Sequence, residues 1–442
     1  MEFGPYIRHA WGDEVQDRLN GRAGWLVTAV LHSIPWPETD VMVEYDGSTF
    51  FLMGICQNAN QTAANLVIAC PREEVNDKMA VLYKFCSILG WYKGGYVDIE
   101  SHHWATIPIR IQPFGGKPSG PSQGGRLGFD CNFLPIIADN GTRLALAFWR
   151  EALRLRHVHE SYSFLSFFKV IESQHRDGRA RGAWIDGQLP TLTGAAGERV
   201  QELINQGLNA SRHLYDSGRC AVAHATMGEE IVDPDLPADR IRLHGDIVII
   251  KELAQRYISV VLKVPTESDT YDHRNRLAPV HVFVGQRMLE RLAAGDTISR
   301  RSTGLHGQMV DVRAWAKAPD QQLHGLRLNV VSAYDGVVAM FAENPARTLA
   351  VAFAFDFRAG RAHTDLTASD YVRLDQGGEK DAAIAILNYR KEVLQNGLIE
   401  LVFSGNEVVQ CEVLIPVNID IGGSVRRMDA LIDRLRQGLD KH

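Results

Sequence analysis

Residues 161–175 read Ser-Tyr-Ser-Phe-Leu-Ser-Phe-Phe-Lys-Val-Ile-Glu-Ser-Gln-His, and within them Phe164, Phe167, Phe168 and Ile171 recur at i, i+3, i+4 and i+7. That spacing lines one face of a helix with large apolar side chains, which water rejects unless other elements cover them. The neighbouring segments supply such cover. Thr142 to Arg156 carries Leu144, Phe148 and Leu155 on one face and Leu146, Trp149 and Leu153 on the other, and a helix apolar on two sides needs two partners. Ala195 to Tyr215 places Val200, Leu203, Ile204, Gly207 and Leu214 on one face. Ala238 to Leu262 is apolar nearly all round and reads as the most buried helix. Residues 141–264 are therefore expected to form an all-helical bundle.

On either side the periodicity changes. Before the bundle, Gly24 to Val30, Val41 to Glu44 and Phe50 to Met53 have strand composition, the last two joined by the turn signal Asp46-Gly47-Ser48. Asn65 to Ala69, Val97 to Glu100 and Trp104 to Ile111 continue it, and Met79, Leu82, Tyr83 and Cys86 mark one helix over residues 73–89. After Val264-Pro265-Thr266, strands are expected at Val280 to Val284, Met309 to Trp315, Leu326 to Val331, Gly336 to Phe341, Leu349 to Phe355, Leu398 to Phe403 and Val408 to Ile415. Helices are expected at Asp381 to Gln395 and Val425 to Leu439. The expected architecture is multidomain α+β. It has an α/β unit over 1–140, the helical bundle over 141–264 and a β-rich unit over 265–442, the flanking units regulatory, sensing or targeting.

A chain of 442 residues is long enough for two or three cores. Its net charge of −6, from Lys+Arg 47 against Asp+Glu 53, argues against a non-specific nucleic-acid coat but allows a local basic groove. The six cysteines contain no C-x-x-C pair, which speaks against both a disulfide scaffold and a zinc ribbon. The N-terminus has no signal-peptide pattern and no apolar run is long enough to span a bilayer. A cytoplasmic protein without membrane association is expected. The glycine-rich stretch Gly115 to Gly128 contains Lys117, but Pro118 follows it and the glycine spacing is wrong for a phosphate-binding loop. It reads as a linker.

The chemistry gathers in Asp216-Ser217-Gly218-Arg219-Cys220-Ala221-Val222-Ala223-His224-Ala225. Ser217-Gly218 is expected to break one helix and cap the next, with Arg219 in the first turn. A guanidinium grips phosphate oxygens and stays charged, while an imidazole titrates near neutrality and moves protons. Such a pair suffices to cleave RNA without metal, through attack by the ribose 2′-hydroxyl. Glu172, at the edge of the aromatic stripe, needs a partner for its carboxylate: Arg219 or His224 on one side, Lys169 or Arg176 on its own helix on the other. Arg176, Arg179, Arg181 and Trp184 follow directly, offering cations for phosphates and a ring for a base, in what otherwise reads as an interhelical loop. Asp233, Asp235 and Asp239 read as caps of the long helix. His102-His103 and His157/His159 lack a third ligand, so no metal and no cofactor is expected.

With these residues in view, the segment resembles the HEPN superfamily, whose nucleases carry R-x4–6-H in a helical bundle. The stretch from Arg219 to Asp235, continuing through Arg240 to Leu243 and Leu253-Ala254, resembles the narrower methylamine-utilisation J-type proteins. Directly after the arginine, where many active members have Asn, Asp or His, stands Cys220. The resemblance covers about 141–264. It implies Arg219 and His224 as catalytic residues in a composite site of a homodimer formed through the bundle, RNA (tRNA or mRNA) as substrate, and a toxin or anti-phage role. A trigger or inhibitor acting on the flanking units is expected with it. The alternative it leaves open is a non-catalytic binding or assembly module, an accessory of methylamine-utilisation type.

Overall fold

The computed structural model describes residues 9–437 apart from 12, 22–23, 38, 58–59, 113–128, 130, 157, 176, 224–230, 234, 315–322, 366–370, 373–378, 397 and 415–418. His224, Arg176 and most of the glycine-rich stretch lie outside the described residues. Strands β1 (His9–Trp11), β2 (Trp25–His32), β3 (Val41–Tyr45), β4 (Ser48–Met53), β7 (Asn65–Ala69) and β8 (Val97–Ala105) form one sheet. A small hairpin of β5 (Cys56–Gln57) and β6 (Asn60–Gln61) precedes β7. The sheet order is β1-β3-β4-β7-β2-β8, and every pairing is antiparallel. This corrects the expected α/β unit to an α+β one, because the sheet is built from antiparallel pairs and not from parallel strands with helical crossovers. β2 is buried on both faces. Leu26 and Val30 enter a large core, whereas Trp25 and Val27 meet Val15 and Leu19 of helix α1 (Asp13–Leu19) in a small one.

Helix α2 (Val75–Tyr92) lies on the large-core face, where Phe85 stacks on Phe50 with ring centroids 4.0 Å apart. At its far end Trp91 meets Trp149 of α3 (Asn140–Leu155) edge-on at 5.2 Å, and Trp149 meets Phe167 of α4 (Glu160–Glu172) at 5.3 Å. One buried apolar cluster therefore runs without interruption from Leu26 of the sheet to Val264 after the last helix of the middle segment.

In that segment α3, α5 (Gly178–Gln188), a π-helical stretch (Leu214–Cys220), α8 (Ala221–Ala223) and α9 (Pro237–Arg256) pack on α4, while α6 (Gly194–Asn205) packs on α9 and α7 (Ala210–His213) leads into the π stretch. Phe164, Phe167, Phe168 and Ile171 are all buried, and so are Leu165 and Val170 on the other side of α4. The most buried helix is thus α4. α9, expected in that place, buries Leu243, Ile247, Ile250 and Leu253 on one side and leaves Ile241 73% exposed. Three further expectations are corrected. Residues 195–215 do not form one helix, since Gly207, at φ 76°, closes α6 with its amide on the Ile204 carbonyl. Residues 178–188 are helical where a loop was expected, with Asp177 capping the amide of Arg179. Val280 to Val284 is not a strand but two short helical turns, begun beside Pro279 and ended by Gly285 at φ 75°.

Beyond α10 (Glu267–His273), α11 (His281–Val284) and α12 (Gln286–Ala294) the chain builds a β-barrel with its own core. Its strands are β9 (Met309–Ala314), β10 (Leu323–Tyr334), β11 (Val337–Glu343), β12 (Leu349–Asp356), β13 (Arg361–Asp365), β15 (Leu398–Phe403) and β16 (Val408–Leu414). They follow the order β11-β10-β9-β15-β16-β13-β12, and β12 returns to β11 to close the ring. β14 (Tyr371–Val372) pairs with the start of β12. Only β13 and β16 run parallel among the described barrel pairings. Helix α13 (Glu379–Asn396) adds Ile386, Tyr389 and Val393 to this core, and α14 (Ile421–Gln437) is tied to it by Lys391–Asp429 at 2.9 Å. No helix among the described residues is long and apolar enough to cross a membrane.

Candidate functional site

Ser217-Gly218 does not break the helix. The chain stays helical from Ala210 to Ala223 and widens to π geometry over Leu214–Cys220. Two contacts account for this. A side chain at Gly218 would collide with the ring of Phe164, its Cβ falling 2.4 Å from Cζ, so the backbone rests directly on the α4 aromatic stripe. The Ser217 carbonyl accepts from Nη1 of Arg242 on α9 at 2.7 Å. Arg242 in turn reaches Asp239 at 3.6 Å and Asp246 at 3.7 Å.

Asp246 is the hub beneath. Fully buried, it faces Arg199 of α6 at 2.9 Å and His213 at 2.8 Å as well as Arg242. Burial works against the charge of Arg199, but Glu202 and Asp246 overcome it and hold its pKa above the ordinary value. Sequence reasoning missed this cluster, although its signal was present: Leu243, Asp246, Ile247 and Ile250 share one helical face, and a carboxylate in such a stripe needs a buried counter-charge.

Above the π stretch, Arg219 donates from Nε to Oε1 of Glu172 at 3.2 Å, and its Nη2 lies 3.1 Å from the same oxygen. Arg181 of α5 donates to that oxygen too, at 2.9 Å. The Arg181 guanidinium also lies over the rings of Tyr215, at 4.9 Å, and Phe168, at 5.4 Å. Burial opposes the Arg219 charge, yet Glu172 and then Cys220 more than offset it and hold the pKa above the usual arginine value. The Arg219 side chain keeps 22% of its surface exposed, so solutes can reach it. Among the described residues, Arg181 and Arg219 thus share one oxygen of the Glu172 carboxylate.

Glu172, Arg181 and Arg219 are thus brought together from three elements, and Lys169 is not the partner of Glu172. His224 and Arg176 lie outside the described residues. Arg179 is exposed at the start of α5. Trp184 turns away from the arginines, packing edge-on against Tyr257 at 4.8 Å. Asp239 accepts from the amide of Asp233, and Asp233 from that of Asp235, so the acidic run shapes the entry to α9. His102 and His103 sit successively on β8 and so face opposite sides of the sheet. Among the described residues no group of three or more His, Cys, Asp or Glu side chains converges as a metal site.

Residues 145–259, the segment holding this site, match a family model described as Methylamine utilization protein MauJ. No curated protein and no solved structure matches the chain.

Proposed function

We propose that the chain is a metal-independent endoribonuclease of the HEPN type. The observation that carries the proposal is the convergence of Arg219, Arg181 and Glu172 on a helix widened and clamped at Arg219. Glu172 takes hold of one edge of the Arg219 guanidinium and fixes its plane. In the proposed reaction Arg219 stabilises the charge that builds on the phosphorane. His224 takes the proton of the attacking 2′-hydroxyl or returns one to the leaving 5′-oxygen. A composite site from two copies of the bundle, a cytoplasmic toxin or anti-phage setting, and control by the sheet and barrel units belong to the same proposal.

The test is cleavage of total RNA or tRNA in EDTA, with Arg219→Ala and His224→Ala variants alongside. Products with 2′,3′-cyclic ends, lost in both variants, support the reading. Absence of cleavage together with absence of variant-dependent toxicity on expression would sink it. A second reading, a non-catalytic binding or assembly module, draws on the match over residues 145–259 and on Cys220, since a thiol is a weak hydrogen-bond donor for orienting a phosphate. That reading expects intact RNA but an assembly that the same two substitutions leave in place.

A further inference from the structure

A pocket of about 410 Å³ opens where α4 begins, walled by Arg156, His159, Glu160, Val232, Arg240 and Leu243. It is joined to the arginine-bearing helix, because the Val232 amide bonds to the carbonyl of Ala221, directly after Cys220. The larger cavity, about 650 Å³ between α5, α6 and α7, has Asp186 and Glu198 in its wall and no cation, and so is built for a different ligand.

The charge balance of the smaller pocket is distinctive. No ion pair is found to Arg156 or Arg240 among the described residues. Among the described residues the pocket wall holds one carboxylate, Glu160, which lies 2.7 Å from Nδ1 of His244. Arg240, His244 and Lys251 are spaced to fall on one face of α9. Lys251 is half-buried, and burial first and then the nearby charge of Arg156 lower its pKa against the opposing pull of Glu252. The ring of His159, in the pocket wall, lies 4.4 Å from that of Tyr162, which is 52% exposed, and Val158 in the same wall is 70% exposed. Helix α4 starts at His159 with no side-chain cap.

We propose that this pocket binds a nucleoside phosphate, its phosphate held by Arg156 and Arg240 and its base resting on the His159–Tyr162 rings. Guanidiniums suit phosphate oxygens, and base–aromatic contact tolerates any base. The volume falls within the range of small-ligand pockets, roughly 300–1,000 Å³. The ligand is either a free nucleotide or one residue of an RNA strand. In the second case the pocket is a strand-holding subsite and rests on the ribonuclease reading.

The test is calorimetric titration of the full chain with AMP, adenosine and a short 2′-O-methyl adenylate oligomer, which cannot be cleaved. AMP is expected to bind at least about ten-fold more tightly than adenosine, the worth of one or two charge-assisted contacts. Arg156→Gln and Arg240→Gln should each weaken AMP by a similar factor, while Arg219→Ala leaves it unchanged. Pocket-dependent binding of the oligomer identifies a strand subsite, and binding of AMP alone identifies a free nucleotide. Competition of inorganic phosphate with AMP on the unaltered protein gives a readout that needs no variant. The proposal is overturned if AMP does not bind, if the two glutamine variants bind it normally, or if Arg219→Ala abolishes binding instead. Lack of RNA cleavage would leave AMP binding as it is, so the two readings fail separately.

Discussion

Replacing Asp246 by alanine tests whether the buried ion cluster holds the π stretch. The carboxylate is fully buried and faces Arg199, His213 and Arg242. Breaking a buried charge cluster from one side costs about 3–5 kcal/mol, because the remaining charges keep their desolvation penalty. Here the cost is reduced. Arg199 retains Glu202 at 2.9 Å, Arg242 retains Asp239 and the Ser217 carbonyl, and both side chains keep about a fifth of their surface in water. An expected loss of about 2–4 kcal/mol remains, and Asp246→Asn, which keeps an acceptor, should lose about half of it. Denaturant unfolding followed by tryptophan fluorescence isolates the effect. All tryptophans except Trp315 precede residue 185, so the signal reports the sheet-and-helix core and not the separate barrel core. That transition should shift to lower denaturant, while the barrel transition, read separately by hydrogen exchange of barrel peptides, stays in place. A shift worth less than about 0.5 kcal/mol, the level of an ordinary surface change, would refute the assignment of Asp246 as the clamp. So would equal movement of both transitions.

Gly218→Ala gains up to about 1 kcal/mol of helix propensity but forces a methyl into the Phe164 ring, an overpacking cost of about 1–3 kcal/mol. Since Phe164 is itself fully buried, net destabilisation is expected, and a rise in Tm would contradict the close contact. Glu172→Gln leaves Arg181 and Arg219 facing each other, with a stability loss of about 1–2 kcal/mol and at least ten-fold slower RNA cleavage. Cleavage unchanged in this variant would remove Glu172 from the site. Among the described cysteines, Cys220 is half-exposed and Cys70, Cys86, Cys131 and Cys411 are buried. A thiol reagent at mildly alkaline pH should therefore label Cys220 in the folded protein and the other four only on unfolding, as peptide mass spectrometry would read. Burial pushes the Cys86 thiol from 9.0 up to about 12. Between those values the unfolded chain releases a proton that the folded chain keeps, so stability should fall as pH rises through this window. In a Cys86→Ala variant the fall should be shallower.

The aromatic helix α4 was legible because its burial follows one period, set by Phe164, Phe167, Phe168 and Ile171. Val280 to Val284 misled because a run of five residues, three of them valines, is too short for periodicity to separate strand from helical turn. Pro279 and Gly285, which decide it, lie at its edges. Barrel closure was not legible at all. It depends on β12 meeting both β11 and β13 and on the parallel register of Ala362 with Cys411, pairings across long loops that no local pattern encodes. At the candidate site, a pairing of Glu172 with Arg219 was among the readings the sequence offered, and the local geometry was not. Ser-Gly by itself signals a helix end, but the Phe164 ring and the Arg242 guanidinium, both distant in sequence, supply what a continuing helix needs there.

The two π-helical stretches of the middle segment make the case that this geometry serves the arginine. Tyr257–Val261 ends α9 among apolar neighbours, with Tyr257 and Ile258 buried and Trp91 donating to the nearby Val264 carbonyl. Its buried side chains are apolar or aromatic, and Val260 and Val261 face solvent. Leu214–Cys220 lies inside a continuous run of helix, demands a glycine against Phe164, and is clamped through Arg242 to a buried carboxylate with three cationic or titratable partners. Wide helical turns are intrinsically unfavourable and gather at functional sites, and buried charge is a poor way to gain stability compared with apolar packing. A helix kept wide at such cost is better explained by what it presents than by what it stabilises. What it presents is Arg219, with its guanidinium fixed by Glu172 and beside that of Arg181. Asp246→Leu combined with Arg199→Met separates the two explanations: stability regained with Arg219-dependent chemistry lost would show the clamp to be there for the arginine.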